Sequence, residues 1–268
     1  MGALLRGENL PVEWPLVGLV LAAALYRLGR RGTERRRKSA SFYAGLLVLV
    51  VAIDWPVDTY ADRLFWVHMV QHVLLTMVAP PLLLLGRPWP RVARPLPRAA
   101  RRRLAKGLHA CRIVAAPLAA FVLFNGTLLA WHLPVLFDLT LRNAAVHDLE
   151  HALFFVTALL FWTHLVPTSR RPRLGAAQRV AYGVGAILVS WVLAVVLGFA
   201  SHPLYGQYAA LAHRPGGISA LADQQLAAGI MWVPAAIPFT IAVLVAAYTL
   251  LEPTGKAAVA PDLRPRET

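Results

Sequence analysis

This chain is short of charge. Only 15% of its 268 residues are charged, with 13 acidic against 27 basic. With 58% hydrophobic residues and several apolar runs too long for the core helices of a soluble domain, the composition excludes a soluble globular protein and points to an integral membrane protein. Cysteine is all but missing. Cys111 stands alone, which excludes an intramolecular disulfide and any C-x-x-C redox or metal motif. Lysine is scarce as well: Lys38, Lys106 and Lys256 all lie in connections between apolar runs, so no span carries the lysine that a retinal Schiff base requires. The opening MGALLRGENLPVEW lacks the basic region, longer apolar region and small-residue cleavage site of a secretory signal, so the first apolar span reads as retained. No internal repeat is visible.

What is present is a series of apolar segments: Pro15–Leu28, Ser41–Ile53, Leu64–Leu85, Ile113–Trp131, His147–Val166, Ala177–Ala200 and Asp223–Leu251. They predict an all-α integral membrane protein, a single domain over residues 1–268 built as a bundle of seven transmembrane helices, with 253–268 a short disordered cytoplasmic tail. Basic residues set the orientation, because Lys and Arg in short loops stay on the cytoplasmic side. The groups Arg27–Lys38, Arg87–Arg112, Arg170–Arg179 and Lys256–Arg266 hold 23 of the 27 basic residues, and they fall on alternating connections. The N-terminus is therefore expected outside and the C-terminus in the cytoplasm. The same distribution accounts for the formal charge of +14 by topology and by attraction to anionic headgroups, and no aromatic-interleaved basic domain is available for nucleic acid. Trp14, Trp55, Trp66 and Trp131 sit near expected outer boundaries and read as interface residues.

Leu64–Leu85, LFWVHMVQHVLLTMVAPPLLLL, contains no formally charged side chain and is long enough to cross a hydrocarbon layer of about 30 Å. Pro80 and Pro81 interrupt it and free carbonyls that neighbouring helices must satisfy. His68 and His72, four apart, share one helix face about 6 and 12 Å below the expected outer edge. The fifth span opens with HDLEH and places His147 and His151 on one face in the same way. His132 in LAWHLP and His202 in FASHP lie at the outer ends of the fourth and sixth spans, so six of the nine histidines are expected in one layer. Asp54, Asp223, Gln224 and Gln225 join them, with Met231 two turns below Asp223. Paired imidazoles on two helices suit copper, zinc, iron or nickel, and a polar interhelical network is the competing reading. His132 and His202 read as interhelical or interfacial contacts when taken singly. Asp148 and Glu150 either orient ring N–H groups of the paired histidines or are solvated residues of a helix start, where acids suit the dipole, and the solvated reading is the expectation for both. His109, His164 and His213 are expected to be solvated or interfacial.

The blocks HMVQHVLLTMVAPPLLLLGRP, LAWHLP, HDLEHALFFVTALLFW and ALADQQLAAGIMWVP together resemble, in order, those of the CtaG-type cytochrome c oxidase assembly factors, membrane proteins associated with caa-type oxidases. The resemblance runs from about Trp66 to Pro234. It implies a seven-helix bacterial plasma-membrane protein, not an enzyme, that helps to assemble a haem-copper oxidase by supplying copper. The implied copper is Cu(I), with zinc as the alternative metal, and the implied partners are the oxidase catalytic subunit, the lipid bilayer and an extracytoplasmic copper donor. Carried over by matching block, the candidates are His68, His72, His147, His151, Asp223, Gln224, Gln225 and Met231. Ala235 and Ala236 depart from the pattern, where a glycine is expected.

Two rivals use the same residues. A haem needs axial ligands on opposite sides of the macrocycle, which two histidines adjacent on one helix cannot both supply. A transporter of a metal ion or proton needs polar residues leading on to the cytoplasmic face, and below Thr76 and Met231 the spans offer few.

Overall fold

The computed structural model of the protein describes residues 14–29, 36–54, 57–166 and 172–251. Trp55, Arg30, Arg31, Arg35, Arg170, Arg171, the 253–268 tail and the side chain of Trp14 lie outside the described residues. The described residues form helices and no strand. In chain order these are α1 (Trp14–Leu28), α2 (Arg36–Ile53), α3 (Val57–Ala61), α4 (Phe65–Val73), α5 (Ala79–Leu85), α6 (Pro88–Ala93), α7 (Arg98–Ala110), α8 (Pro117–Trp131), α9 (Pro134–Arg142), α10 (Ala144–Leu165), α11 (Ala176–Gly198), α12 (Gly206–Ala209), α13 (Ala220–Trp232) and α14 (Ala236–Leu251).

Each expected apolar segment falls on a helix, but length and apolarity do not by themselves make seven spans. Among the described residues, four helical runs are long and apolar enough to cross a membrane: Phe65–Leu85, Ala144–Leu165, Ala176–Gly198 and Ala220–Leu251. A fifth is reached if α8 and α9, bent by 74° at their junction, count as one span. The shortfall has local causes. Pro117 lacks an N–H and is pre-organised for the first helical position, so α8 starts there and not at Ile113. α1 has 15 residues, and α2 opens on Arg36, Arg37 and Lys38. These helices are compatible with a multi-pass membrane protein.

The run from Phe65 to Leu85 is continuous only because its middle widens. Leu74–Val78 is a π-helical turn, which absorbs the missing donors of Pro80 and Pro81. The carbonyl of Thr76, which Pro80 cannot satisfy, instead accepts a hydrogen bond from Trp162 Nε1 of α10 at 2.8 Å. This exchange pins α10 to the third expected span in register. On the other flank α2 lies close to α5, and a Cβ at Gly45 would come within 2.8 Å of Leu83 Cγ. At Pro234 the seventh expected span bends. The Ala235 N–H reaches back to the Ile230 carbonyl at 3.1 Å, and α14 resumes the helix.

Three apolar clusters hold the bundle. Phe65, Phe137, Phe154, Tyr205, Tyr208 and Met231 pack at the end where α4, α10 and α13 begin. Met77, Phe124, Phe161, Trp162 and Phe239 fill the middle, and Tyr26, Phe42, Leu49 and Leu83 join α1, α2 and α5. Trp131 is buried and Trp66 half-buried in the first cluster. The buried Trp131 corrects the expectation of an interface residue there, whereas the half-buried Trp66 is compatible with it.

Candidate metal centre

α4 and α10 present their histidine faces to each other. Asn143 caps the start of α10 by accepting from the N–H groups of Ala145 and Val146 at 3.0 and 3.3 Å. The start of α4 has no cap of its own. Asp223 of α13 supplies one, its two carboxylate oxygens accepting from the N–H groups of Phe65 at 3.0 Å and Trp66 at 2.9 Å. With both helix starts fixed, His68 and His72 meet His151 and Glu150. One ligand atom from each of these four lies within 4.8 Å of all the others. His68 and Glu150 are 0% exposed and His72 is 5%.

The proton positions follow from the partners. The Tyr208 hydroxyl donates to the Ala61 carbonyl at 2.5 Å, and burial, aided by the charges of Asp223, Asp62 and Glu150, holds that hydroxyl well above its ordinary pKa. Its oxygen lies 3.2 Å from His68 Nδ1. The hydroxyl proton being committed to Ala61, Nδ1–H must donate to Tyr208, and His68 Nε2 is left as a lone pair. That atom is 2.9 Å from His72 Nε2. The Glu150 oxygens stand 3.9 and 3.8 Å from the same two nitrogens, beyond hydrogen-bonding distance. His132 Nδ1 donates to the Leu128 carbonyl at 2.7 Å, so its Nε2 is also a lone pair.

Buried polar atoms without a partner are rare in folded proteins, and here they gather. His72 Nδ1, His132 Nε2, His147 Nε2, His151 Nε2 and both oxygens of Glu150 have none. The His147 ring is 4.1 Å from that of His151 and 5.3 Å from that of His68, and the His132 ring is 6.4 Å from that of His72, between centroids. Imidazole nitrogens and a carboxylate, desolvated and unbonded around one point, are a donor set for a divalent or monovalent transition metal.

Five of the six layered histidines therefore converge, and His202 does not. It is exposed, beside the Ser201 hydroxyl at 3.2 Å, because α11 ends at Gly198 and the chain turns outward. Asp223 is committed to capping α4. Met231 is packed in the apolar cluster with Phe65 and Met69. Gln224 stitches the α11–α12 connection, accepting from Leu204 N at 2.7 Å and donating to the Leu197 carbonyl at 3.0 Å, while Gln225 is exposed. Asp54 is half-buried at the end of α2 and is not one of the four convergent groups.

Glu150 corrects the expectation of a solvated acid. It lies three residues after His147 and one before His151, on the inward face of α10. Asp148, as expected, is exposed. His164 is a second correction: it is buried, and its Nε2 meets the Ala115 carbonyl at 3.1 Å. His109, Cys111 and His213 are exposed.

Residues 19–252 match the family described as cytochrome c oxidase caa3 assembly factor. The chain belongs to this family. Uncharacterized proteins of Mycobacterium bovis and Mycobacterium tuberculosis are each 29% identical to it over 253 residues, covering 87% of this chain and 37% of their own. An uncharacterized protein of Mycobacterium leprae is 24% identical over 240 residues, covering 85% of this chain and 36% of its own. The chain thus spans little more than a third of the length of these relatives. No solved structure matches it. For a caa3 assembly factor a non-catalytic role is suggested, and the residues that sequence reasoning undervalued are Glu150, Tyr208 and Gln71. Gln71 donates to the Ala52 carbonyl and to Asp58 at 2.8 and 3.0 Å, which ties α4 to the end of α2. Only Glu150 carried a signal, an acid between two histidines on a helix otherwise apolar.

Proposed function

We propose that this member of the caa3 assembly-factor family binds a copper ion between His68, His72, His151 and Glu150 and passes it to the copper site of a haem-copper oxidase. The observation that carries the reading is the convergence of four buried donor groups within 4.8 Å, several of their atoms lacking any partner. Desolvating such groups is costly unless something compensates, and a cation does so for all of them at once. The copper is Cu(I) in this reading, and the oxidase named by the family selects it over zinc, which the same donors also suit. No turnover is involved: the ion is cargo.

The setting is a single domain with seven spans in a bacterial plasma membrane, the N-terminus outside and the tail in the cytoplasm. On that topology the histidine end faces the outer side, where an extracytoplasmic copper donor and the oxidase catalytic subunit can reach it. A transporter using the same residues is less well supported, because the apolar cluster of Met77, Phe124, Phe161, Trp162 and Phe239 fills the bundle beyond the site. Metal uptake into sealed vesicles separates the two.

Elemental analysis of the purified protein, beside a variant with His68, His72, His147 and His151 all changed to Ala, tests the assignment. About one copper per chain is expected in the first and none in the second. Equal metal in both sinks it.

A further inference from the structure

The five convergent histidines differ in access. His68, His72 and His132 are buried, whereas His147 and His151 are half-buried. Both accessible rings stand on the first two turns of α10, so the buried donors are approached from that side. His147 is one turn nearer the helix start. Its ring lies 4.1 Å from that of His151 and 5.3 Å from that of His68, yet it is outside the group of four whose ligand atoms converge. Its Nε2 is nevertheless shielded from solvent and without a partner. A histidine kept for packing would turn that nitrogen to a carbonyl or to water.

An acid stands at the same end of the bundle, three residues before α4 begins. Asp62, in the connection between α3 and α4, is exposed at its surface, and its charge and that of His147 act on each other. Burial of the carboxyl raises its pKa above the ordinary value, as does Asp58, while His147 and Arg63 oppose the rise. Asp58 is held in place by Gln71, the residue between His68 and His72 on α4. Asp58 and Asp62 thus lie in and after α3, on the chain that leads into the helix of His68 and His72.

We infer, resting on the metal-binding reading above, that His147 with Asp62 is the port through which a metal cation enters and leaves the buried site, and that His147 is a transfer ligand and not a resident one. The cation meets the half-buried His147 ring first, the ring nearest the start of α10, and moves to His151 and His68 by exchange of one imidazole for another. In each exchange one metal–nitrogen bond forms as another breaks, the ion keeps its oxidation state, and no proton or electron needs an acceptor. Asp62 contributes field: a negative charge at the mouth of a low-dielectric pocket raises the local cation concentration.

The test uses the full chain in detergent, with Cu(I) delivered from and withdrawn by a buffered chelator, following loading and release rates and the equilibrium affinity together. His147→Ala is expected to slow loading and release alike by about tenfold while the affinity stays within about twofold, as a changed path with unchanged end states requires. Free imidazole added to this variant restores its rates. Asp62→Asn, a surface change that leaves the fold intact, slows loading several-fold and flattens its dependence on salt. An affinity loss of about 10–100-fold in His147→Ala with faster release makes His147 a resident ligand and overturns the inference. Unchanged rates in both variants overturn it as well. Wild-type chain that takes up no copper at all is a different result, which removes the metal reading itself and the port with it.

Discussion

His68 Nε2 and His72 Nε2 lie 2.9 Å apart in a pocket without another polar partner for either. Because His68 spends its Nδ1 proton on Tyr208, its Nε2 is an acceptor, and the metal-free pair is stable only if His72 carries its proton on Nε2. His72 Nδ1 is then a buried atom with nothing to bond. A cation at the pair reverses this: both Nε2 lone pairs turn to the metal and the His72 proton moves to Nδ1. Metal binding is therefore coupled to a tautomer change at His72 and not at His68. Nitrogen-15 NMR of the two rings, with and without metal, is expected to show that asymmetry.

Tyr208 positions His68 through Nδ1 and is not one of the four convergent groups. Tyr208→Phe removes the acceptor for Nδ1–H and frees His68 to take the other tautomer. The expected result is a metal affinity weaker by about 10–100-fold, the usual cost of losing a partner behind a ligand, with unfolding of the metal-free chain little changed. Isothermal titration beside a thermal melt checks both. An unaltered affinity would show that Tyr208 only packs.

Glu150 is expected to trade stability against function. A carboxylate that is 0% exposed and has no hydrogen bond is a cost to the metal-free fold, so Glu150→Gln should melt at the same temperature as wild type or higher without metal. With metal the order should reverse, since the neutral amide is a poorer ligand and the stabilisation by RT ln(1 + [L]/Kd) shrinks. The metal-induced shift in wild type should also shrink as pH falls, because protons compete for the same imidazole lone pairs.

Asp223 should behave in the opposite way. Asp223→Ala leaves the N–H groups of Phe65 and Trp66 without acceptors in a buried setting, at a cost of about 2 kcal/mol. The melting temperature should fall with or without metal, and the affinity should fall less than for any of the four convergent groups. A normal melt with abolished binding would make Asp223 a ligand.

Topology has its own check. Cysteines introduced at Asp62 or His213 should be labelled from the outside of intact cells, and the native Cys111 only after the membrane is opened. The reverse pattern would place the histidine end in the cytoplasm and deprive an outer-side oxidase site of its supply.

Periodicity exposed much of this in advance. His68 with His72 and His147 with His151 advertise their shared faces by a spacing of four, and the proline pair announced a break that Trp162 repairs. The roles of Asp223 and Tyr208 were hidden because each acts on α4 from 140 or more residues away in the chain, a relation that no local pattern encodes. Glu150 was misread because a helix start is where acids are ordinarily solvated, and the packing that buries it, against His68 and His72 of α4, comes from far away in the chain. His202, expected just past the end of the sixth span as an interhelical or interfacial residue, is exposed there after a helix that ends at Gly198. The start of α8 was set four residues early, because apolar residues from Ile113 to Ala116 continue the hydropathy of a helix that begins only at Pro117.

The central claim is that imidazole nitrogen and carboxylate oxygen, and not sulfur, hold the copper. Copper K-edge X-ray absorption on the loaded protein reads this directly. The expected result is a first shell of nitrogen or oxygen at ~2 Å with the outer-shell scattering of imidazole rings and no sulfur. A sulfur shell near ~2.3 Å would contradict it, and would move the site to Met231, Met69 or Cys111.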